Sequence, residues 1–239
     1  MRYLIDNFAD IMAITRTHLV LALVPLLLGL VLAIPLGAVV HGRRWARRIA
    51  TTASSLVYTV PSLALFVVIP PLVGISAIDP LNVIIALTVY STALLLIAVP
   101  AALDTVPAAV VDAADAIGYR RLRRTLTVDL PLALPVFVAT VRVVTVTNIA
   151  MVSVGALIGV GGLGKLFTQG YQRDYPDQIV AGIIVILALA LFFDRLIHLV
   201  GRLATPWTRA GAPGRFARRM QVAEAPGRAA GDMRRKDRG

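Results

Sequence analysis

The feature that most constrains this chain is a repeated one: five apolar stretches, at approximately 19–40, 56–75, 83–103, 132–158 and 179–200. Each approaches or exceeds the ~20 residues a helix needs to cross a bilayer core. Inside a bilayer no water satisfies a free amide, so a spanning segment must be a helix or part of a closed barrel, and runs of this length are helical. The expected fold is therefore all-α and polytopic. The second stretch is the least regular, because Pro61, Pro70 and Pro71 interrupt it. Neighbouring helices can satisfy the backbone groups that prolines and glycines release, so a packed bundle with kinked helices is expected. The first 18 residues are mixed polar and the first apolar run is already of spanning length, so no cleavable signal peptide is expected.

Charge gives an orientation. Only 15% of the residues are charged, against roughly a quarter in soluble domains. The net charge of +11 is mostly arginine in loops and tail. A basic surface can suit nucleic acid, but in so apolar a chain the membrane accounts for it. Arg43, Arg44, Arg47 and Arg48 follow the first stretch, and Arg120, Arg121, Arg123 and Arg124 follow the third. The segment after the second has no Lys or Arg, and that after the fourth has Lys165 and Arg173 offset by Asp174 and Asp177. Alternation of this kind predicts an outside N-terminus, five spans and a cytoplasmic C-terminus. The basic tail, rich in Arg, Ala, Gly and Pro from about residue 208, reads as disordered and suited to anionic lipid. The resulting division is an extracytoplasmic segment 1–18, a transmembrane domain 19–203 and a cytoplasmic tail 204–239.

One long polar segment, 104–135, interrupts the apolar pattern. Its spacing predicts two short helices, 107–117 and 120–128, with Gly118 between them in the left-handed backbone that glycine tolerates. Val106, Val110, Ala113 and Ile117 share one face of the first. Pro107 lies in a first turn, and Pro131 is expected to stop the second helix. Such a helix–turn–helix either docks on something or lies on anionic lipid with Arg120–Arg124 facing the headgroups.

Other candidates lie in or near the spans. Gly159, Gly161, Gly162 and Gly164, followed by Lys165, fit a nucleotide-loop spacing, but Leu166 replaces the required Ser or Thr and no βαβ setting exists. They suit either a tight re-entrant turn at the outer mouth or a hinge between helices. Arg142 lies within the fourth span, where it either snorkels to the interface or pairs to stabilise one transport state. Asp194, beside Arg195 near the inner end of the last span, is a candidate partner. Pro61, Ser62, Asn148 and Ser153 are candidates to line a pathway, although helix–helix hydrogen bonding explains Asn148 and Ser153 equally well. His18, His41 and His198 share no ligand spacing. With no cysteine and no convergent nucleophile–base set, no catalytic site, metal or cofactor is expected.

VDAADAIGYRRLRRTLTVDLPLALP resembles the loop that characterises permease subunits of binding-protein-dependent ABC importers. That pattern is Glu-Ala-Ala, three residues, Gly, then about nine residues to a Leu-Pro, and Asp112, Ala113, Ala114, Gly118, Leu130 and Pro131 occupy its places. Asp112 departs from the usual Glu by one methylene. YTVPSLALF (58–66), IGVGGLGKLF (158–167) and FFDRL (192–196) are similar to the branch importing glycine betaine, choline, carnitine and related osmoprotectants. The resemblance covers approximately 17–203. It implies a five-helix permease bundle in a prokaryotic cytoplasmic membrane, paired with an identical or paralogous permease. Cytoplasmic ABC ATPase subunits would power it through the 104–135 loop, and an extracytoplasmic binding protein would deliver the solute. The alternatives are an importer of the same architecture for another solute such as methionine and, more distantly, a membrane protein with no transport role.

Overall fold

Nothing but a helix lets a single apolar segment close its own amide hydrogen bonds away from water, and the chain folds accordingly. The computed structural model describes residues 2–210, among which there is no strand. In chain order the helices are α1 (Arg2–Asp6), α2 (Phe8–His41), α3 (Arg44–Thr59), α4 (Ser62–Val73), α5 (Pro80–Leu103), α6 (Ala108–Ala116), α7 (Arg121–Arg124), α8 (Leu130–Gly155), α9 (Gly164–Gln172), α10 (Pro176–Ala204) and α11 (Trp207–Ala210). A π-turn, Thr125–Asp129, joins α7 to α8, and a 3-10 turn, Ala156–Ile158, follows α8. The chain divides into two compact units: the first, Met1–Gly201, contains the bundle, and the second begins at Arg202. The basic tail expected from 204 is described only to Ala210, where α11 is helical, and the rest lies outside the described residues.

Among the described residues four helical stretches are long and apolar enough to cross a membrane: Phe8–His41, Pro80–Leu103, Arg121–Ile158 and Pro176–Ala204. The first begins well before the apolar stretch that announced it, because no breaker separates residue 8 from residue 19. Pro25 and Pro35 sit within it without ending it.

The expected second span is not one kinked helix. α3 and α4 meet at 102°. Pro61 lacks the N–H that would continue the ladder and forces the residue before it out of the helical region; Val60 is extended at φ −66°, ψ 129°. The Tyr90 hydroxyl of α5 donates to the Val60 carbonyl, one of those the break leaves open. α4 ends at Gly74, which takes φ +76°.

Helix direction follows from close approaches. A Cβ on Gly29 would stand 2.6 Å from the Cβ of Ser91, and one on Gly37 would stand 2.5 Å from that of Val99. Numbers rise together along α2 and α5, so these helices run parallel, and α3 with α4 carries the chain back between them. α8 is antiparallel to α5, with Asn148 beside Ser91 and Gly155 beside Val83. α10 is antiparallel to α8, with Asp194 beside Arg142 and Gly201 beside Val138. Small residues at these crossings let backbones approach, which is how helices gain packing energy where lipid is as apolar as the core. One buried cluster gathers Leu21, Phe66, Leu87, Tyr90, Ile149 and Val152. A second gathers Val99, Ala102, Leu103, Val106 and Ala133 toward the C-terminal end of α5.

Candidate functional site

The loop between α5 and α8 is built on the second cluster. Asp104 closes α5 and forms an ion pair with Arg47 of α3, and its other carboxylate oxygen lies 3.6 Å from His41 Nδ1. Pro107 precedes α6 as its cap in extended conformation, φ −60°, ψ 133°. Gly118 takes φ +84° and separates α6 from α7, as its position between the two helices requires.

Val110, Ala113 and Ile117 do share a face of α6, but it is turned away from the bundle. All three are exposed, Ile117 at 75%. Val106 does not belong with them: it lies on the turn before α6, outside its helical phase, and is buried. The inward side of α6 carries Val111, which packs on the second cluster, and Ala114, which is buried. Thus the two alanines of the motif part company, Ala113 outward and Ala114 inward at 6% exposure. Asp112 stands exposed beside Ala113.

Leu130 packs against the cluster, but Pro131 does not stop the helix. A proline ring collides with the carbonyl four residues back and cannot donate to it. The turn immediately ahead has widened to π geometry, with the Leu130 amide donating to the Thr125 carbonyl five residues back. This accommodates the proline, and the helix runs on from Arg121 to Ile158. Arg124 lies across the turn, paired with Asp115 of α6 and with Asp129 at 3.4 Å.

Arg142 and Asp194 meet as a bidentate pair between α8 and α10. Nε donates to Oδ1 and Nη2 to Oδ2, both at 2.8 Å, with His198 Nδ1 3.5 Å from Nη1. The fork geometry fixes direction as well as charge. Asn148 is buried between helices: its amide nitrogen donates to the Ala22 carbonyl at 3.1 Å, and its amide oxygen lies 3.2 Å from the Ser91 hydroxyl. It therefore ties α2, α5 and α8 together. Ser153 is half-buried on α8, its hydroxyl oxygen without a partner among the described residues. Pro61 and Ser62 form the α3–α4 break.

The glycine loop turns the chain from α8 into α9. Gly159 and Gly162 take φ +88° and +101°, and Gly164 starts α9 against the Ser153 backbone. The residue that holds this loop is His18, which no sequence pattern identified. Its ring is fully buried; Nδ1 accepts the Leu163 N–H at 3.1 Å, and Nε2 lies 2.9 Å from the Ile149 carbonyl. Accepting at Nδ1 leaves the proton on Nε2, so a neutral ring serves both bonds. A histidine at the start of the first apolar stretch is the trace of this in the sequence.

Comparison with known proteins gives this arrangement its setting. The family model described as "Binding-protein-dependent transport system inner membrane component" matches residues 26–205. The osmoprotectant import permease protein OsmW of Salmonella typhimurium is 31% identical over 206 residues, 85% of this chain and 96% of that one. The glycine betaine/carnitine/choline transport system permease protein OpuCB of Bacillus subtilis is 27% identical over 86% of this chain and 94% of its own length. Among solved structures, a chain of the MetNI methionine ABC transporter in an inward-facing conformation superposes with a TM-score of 0.65 at 25% identity. The match covers 79% of this chain and 91% of that one.

Proposed function

The chain belongs to the family of binding-protein-dependent transport system inner membrane components, and from that premise we propose that it is the permease subunit of an ATP-driven importer of small osmoprotectants. The solute class is that named for its relatives, the osmoprotectant, glycine betaine, carnitine and choline permeases. Loop charge supports an N-terminus outside and the 104–135 loop and C-terminus in the cytoplasm of a prokaryote. The parallel packing of α2 and α5 supports counting the bent α3–α4 pair as one crossing, for five in all.

The observation that carries the mechanism is the outward face of α6. Val110, Ala113 and Ile117 are apolar, exposed and held off the spans by a helix seated through Val111. A short helix so held can pass on a rigid-body shift that a flexible loop would absorb. In this reading α6 docks in a cytoplasmic ATPase, with Asp112 at the rim of the contact setting register by charge. ATP is hydrolysed in that separate subunit, and this chain contributes no catalytic group. A second permease, identical or paralogous, completes the pathway, and a binding protein delivers the solute to its outer mouth, where the glycine loop lies. Arg142 and Asp194 clamp α8 to α10 in one transport state.

Uptake in cells lacking this subunit tests the reading. Accumulation of betaine, choline, carnitine or proline under high salt should fall and return with the gene. Unchanged uptake of all four in a strain without a compensating permease would overturn the solute class. The likeness to a methionine transporter makes methionine the second arm of the same assay, and loss of methionine uptake alone would favour it.

A further inference from the structure

We infer that Arg124 is the positioning residue that locks α6 to α8, so that a displacement received by α6 reaches the spanning helix instead of dissipating at Gly118. The inference rests on α6 being the ATPase-docking element. Gly118 joins α6 to α7 at φ +84°, with nothing within 4 Å of where a Cβ would stand. Two backbone hydrogen bonds close this turn, from the Gly118 N–H to the Asp115 carbonyl and from the Tyr119 N–H to the Ala114 carbonyl; they fix the turn but tie α6 to nothing in α8, so force entering α6 needs a further route to α8.

Two routes cross the gap. One is the apolar seat of Val111 on the second cluster, which resists separation but is non-directional. The other is Arg124, whose side chain is only 18% exposed although it lies on a surface loop. Nη1 donates to Asp115 Oδ2 on α6, and Nε lies 3.4 Å from Asp129 Oδ2 on the π-turn. Asp129 is itself buried; its Oδ2 is 3.4 Å from the Thr125 hydroxyl and its Oδ1 has no partner among the described residues. Arg124 is thus the charge that faces this buried carboxylate, and the same planar group reaches back to α6. A guanidinium presents donors in fixed, divergent directions, which a lysine ammonium does not. Asp115, Arg124 and Asp129 therefore form a crossbar from α6 to the first residues of α8. The same helix carries Arg142 at its pair with α10.

The test uses the whole importer, with permease, ATPase and binding protein reconstituted in proteoliposomes and solute moved per ATP hydrolysed as the readout. Arg124→Gln and Asp115→Asn should each lower that ratio about tenfold, the equivalent of one charge-assisted hydrogen bond, and the double variant should be no worse than either alone. Arg124→Lys should fail to restore it. A wild-type ratio in either single variant overturns the inference, as does a double variant whose losses multiply. If Arg124→Gln does not co-purify with the ATPase, Asp115→Asn carries the test alone, because its side chain is 51% exposed and its removal spares Asp129. If that variant also loses the ATPase, Asp115 is a docking residue and the inference falls. The chain has no cysteine, so Ala113→Cys gives a unique cross-linking site. Absence of a cross-link to the ATPase sinks the docking reading, whereas a cross-link with an unchanged ratio sinks only the crossbar.

Discussion

Replacing Gly29 by alanine adds one methyl group and should be felt across the bundle. The new Cβ would lie 2.6 Å from the Ser91 Cβ and 3.2 Å from both the Ser91 carbonyl carbon and the Thr92 nitrogen. Carbon atoms rest at about 3.5–4.0 Å, and the obstacles are backbone and Cβ, which no rotamer change moves. The helices must therefore part by about 1 Å. Overpacking of this kind costs about 1–3 kcal/mol. Moving Ser91 also stretches its bond to Asn148, worth about 1 kcal/mol. Alanine returns up to ~1 kcal/mol of helix propensity, leaving a net loss of about 1–3 kcal/mol. At about 2–4 °C per kcal/mol for a chain of this size, the detergent-solubilised protein should melt several degrees lower by scanning fluorimetry. Gly42→Ala is the contrast, since its Cβ would first meet the guanidinium end of the Arg121 side chain, and the far end of a flexible side chain can yield. A Gly29→Ala protein that melts with or above the wild type would refute the close approach of α2 and α5 and, with it, the parallel arrangement drawn from that approach.

Gly118→Pro cannot take φ +84° and should abolish solute uptake while membrane fractionation shows normal insertion; wild-type uptake would remove α6 from the coupling route. Arg142→Asp or Asp194→Arg alone should impair uptake by leaving like charges facing at the α8–α10 contact, and the double swap should recover part of it; single variants with full activity would deny the pair a role. His18→Ala strands the Leu163 N–H and the Ile149 carbonyl at about 1–3 kcal/mol for each buried group left unpaired. Amide exchange at Gly162 and Leu163 should accelerate; unchanged exchange would mean that the loop does not depend on His18.

The long helices were legible because spanning length and composition are one-dimensional signals. Residues 83–103 lie within α5, and residues 132–158 and 179–200 lie within Arg121–Ile158 and Pro176–Ala204. The 102° break was half-legible: Pro61 announced an interruption, but the angle depends on Tyr90 meeting the Val60 carbonyl, a contact between residues 30 apart in sequence. The helix–turn–helix and its glycine could be read locally. Which apolar residues of α6 look outward could not, because Val110, Val111, Ala113 and Ala114 are alike in kind and only the packing of Val111 on the second cluster decides it. Pro131 misled because proline ends helices in isolation, and the widened turn that rescues it is a backbone adjustment without a residue signature. Asp194 could be proposed as a partner of Arg142 from depth alone. His18 and Asp129 were invisible as functional groups and Arg124 was legible only as one of a run of loop charges, since each acts through a contact that only the folded chain brings together.

The π-turn at Thr125–Asp129 has a meaning separate from the letters that compose it. A π-turn is an α-helix holding one surplus residue, and each residue in an α-helix accounts for about 100° of rotation and 1.5 Å of rise. The loop preceding it is therefore dialled a quarter-turn around the axis of α8 compared with an unbroken helix of the same composition. Removing any single residue from Thr125–Asp129 would leave every docking and anchoring side chain outside that stretch in the gene, yet aim α6 at a different azimuth. The distance between Gly118 and Leu130, which reads in the sequence as mere spacing, is in the folded protein an angle stored as a count.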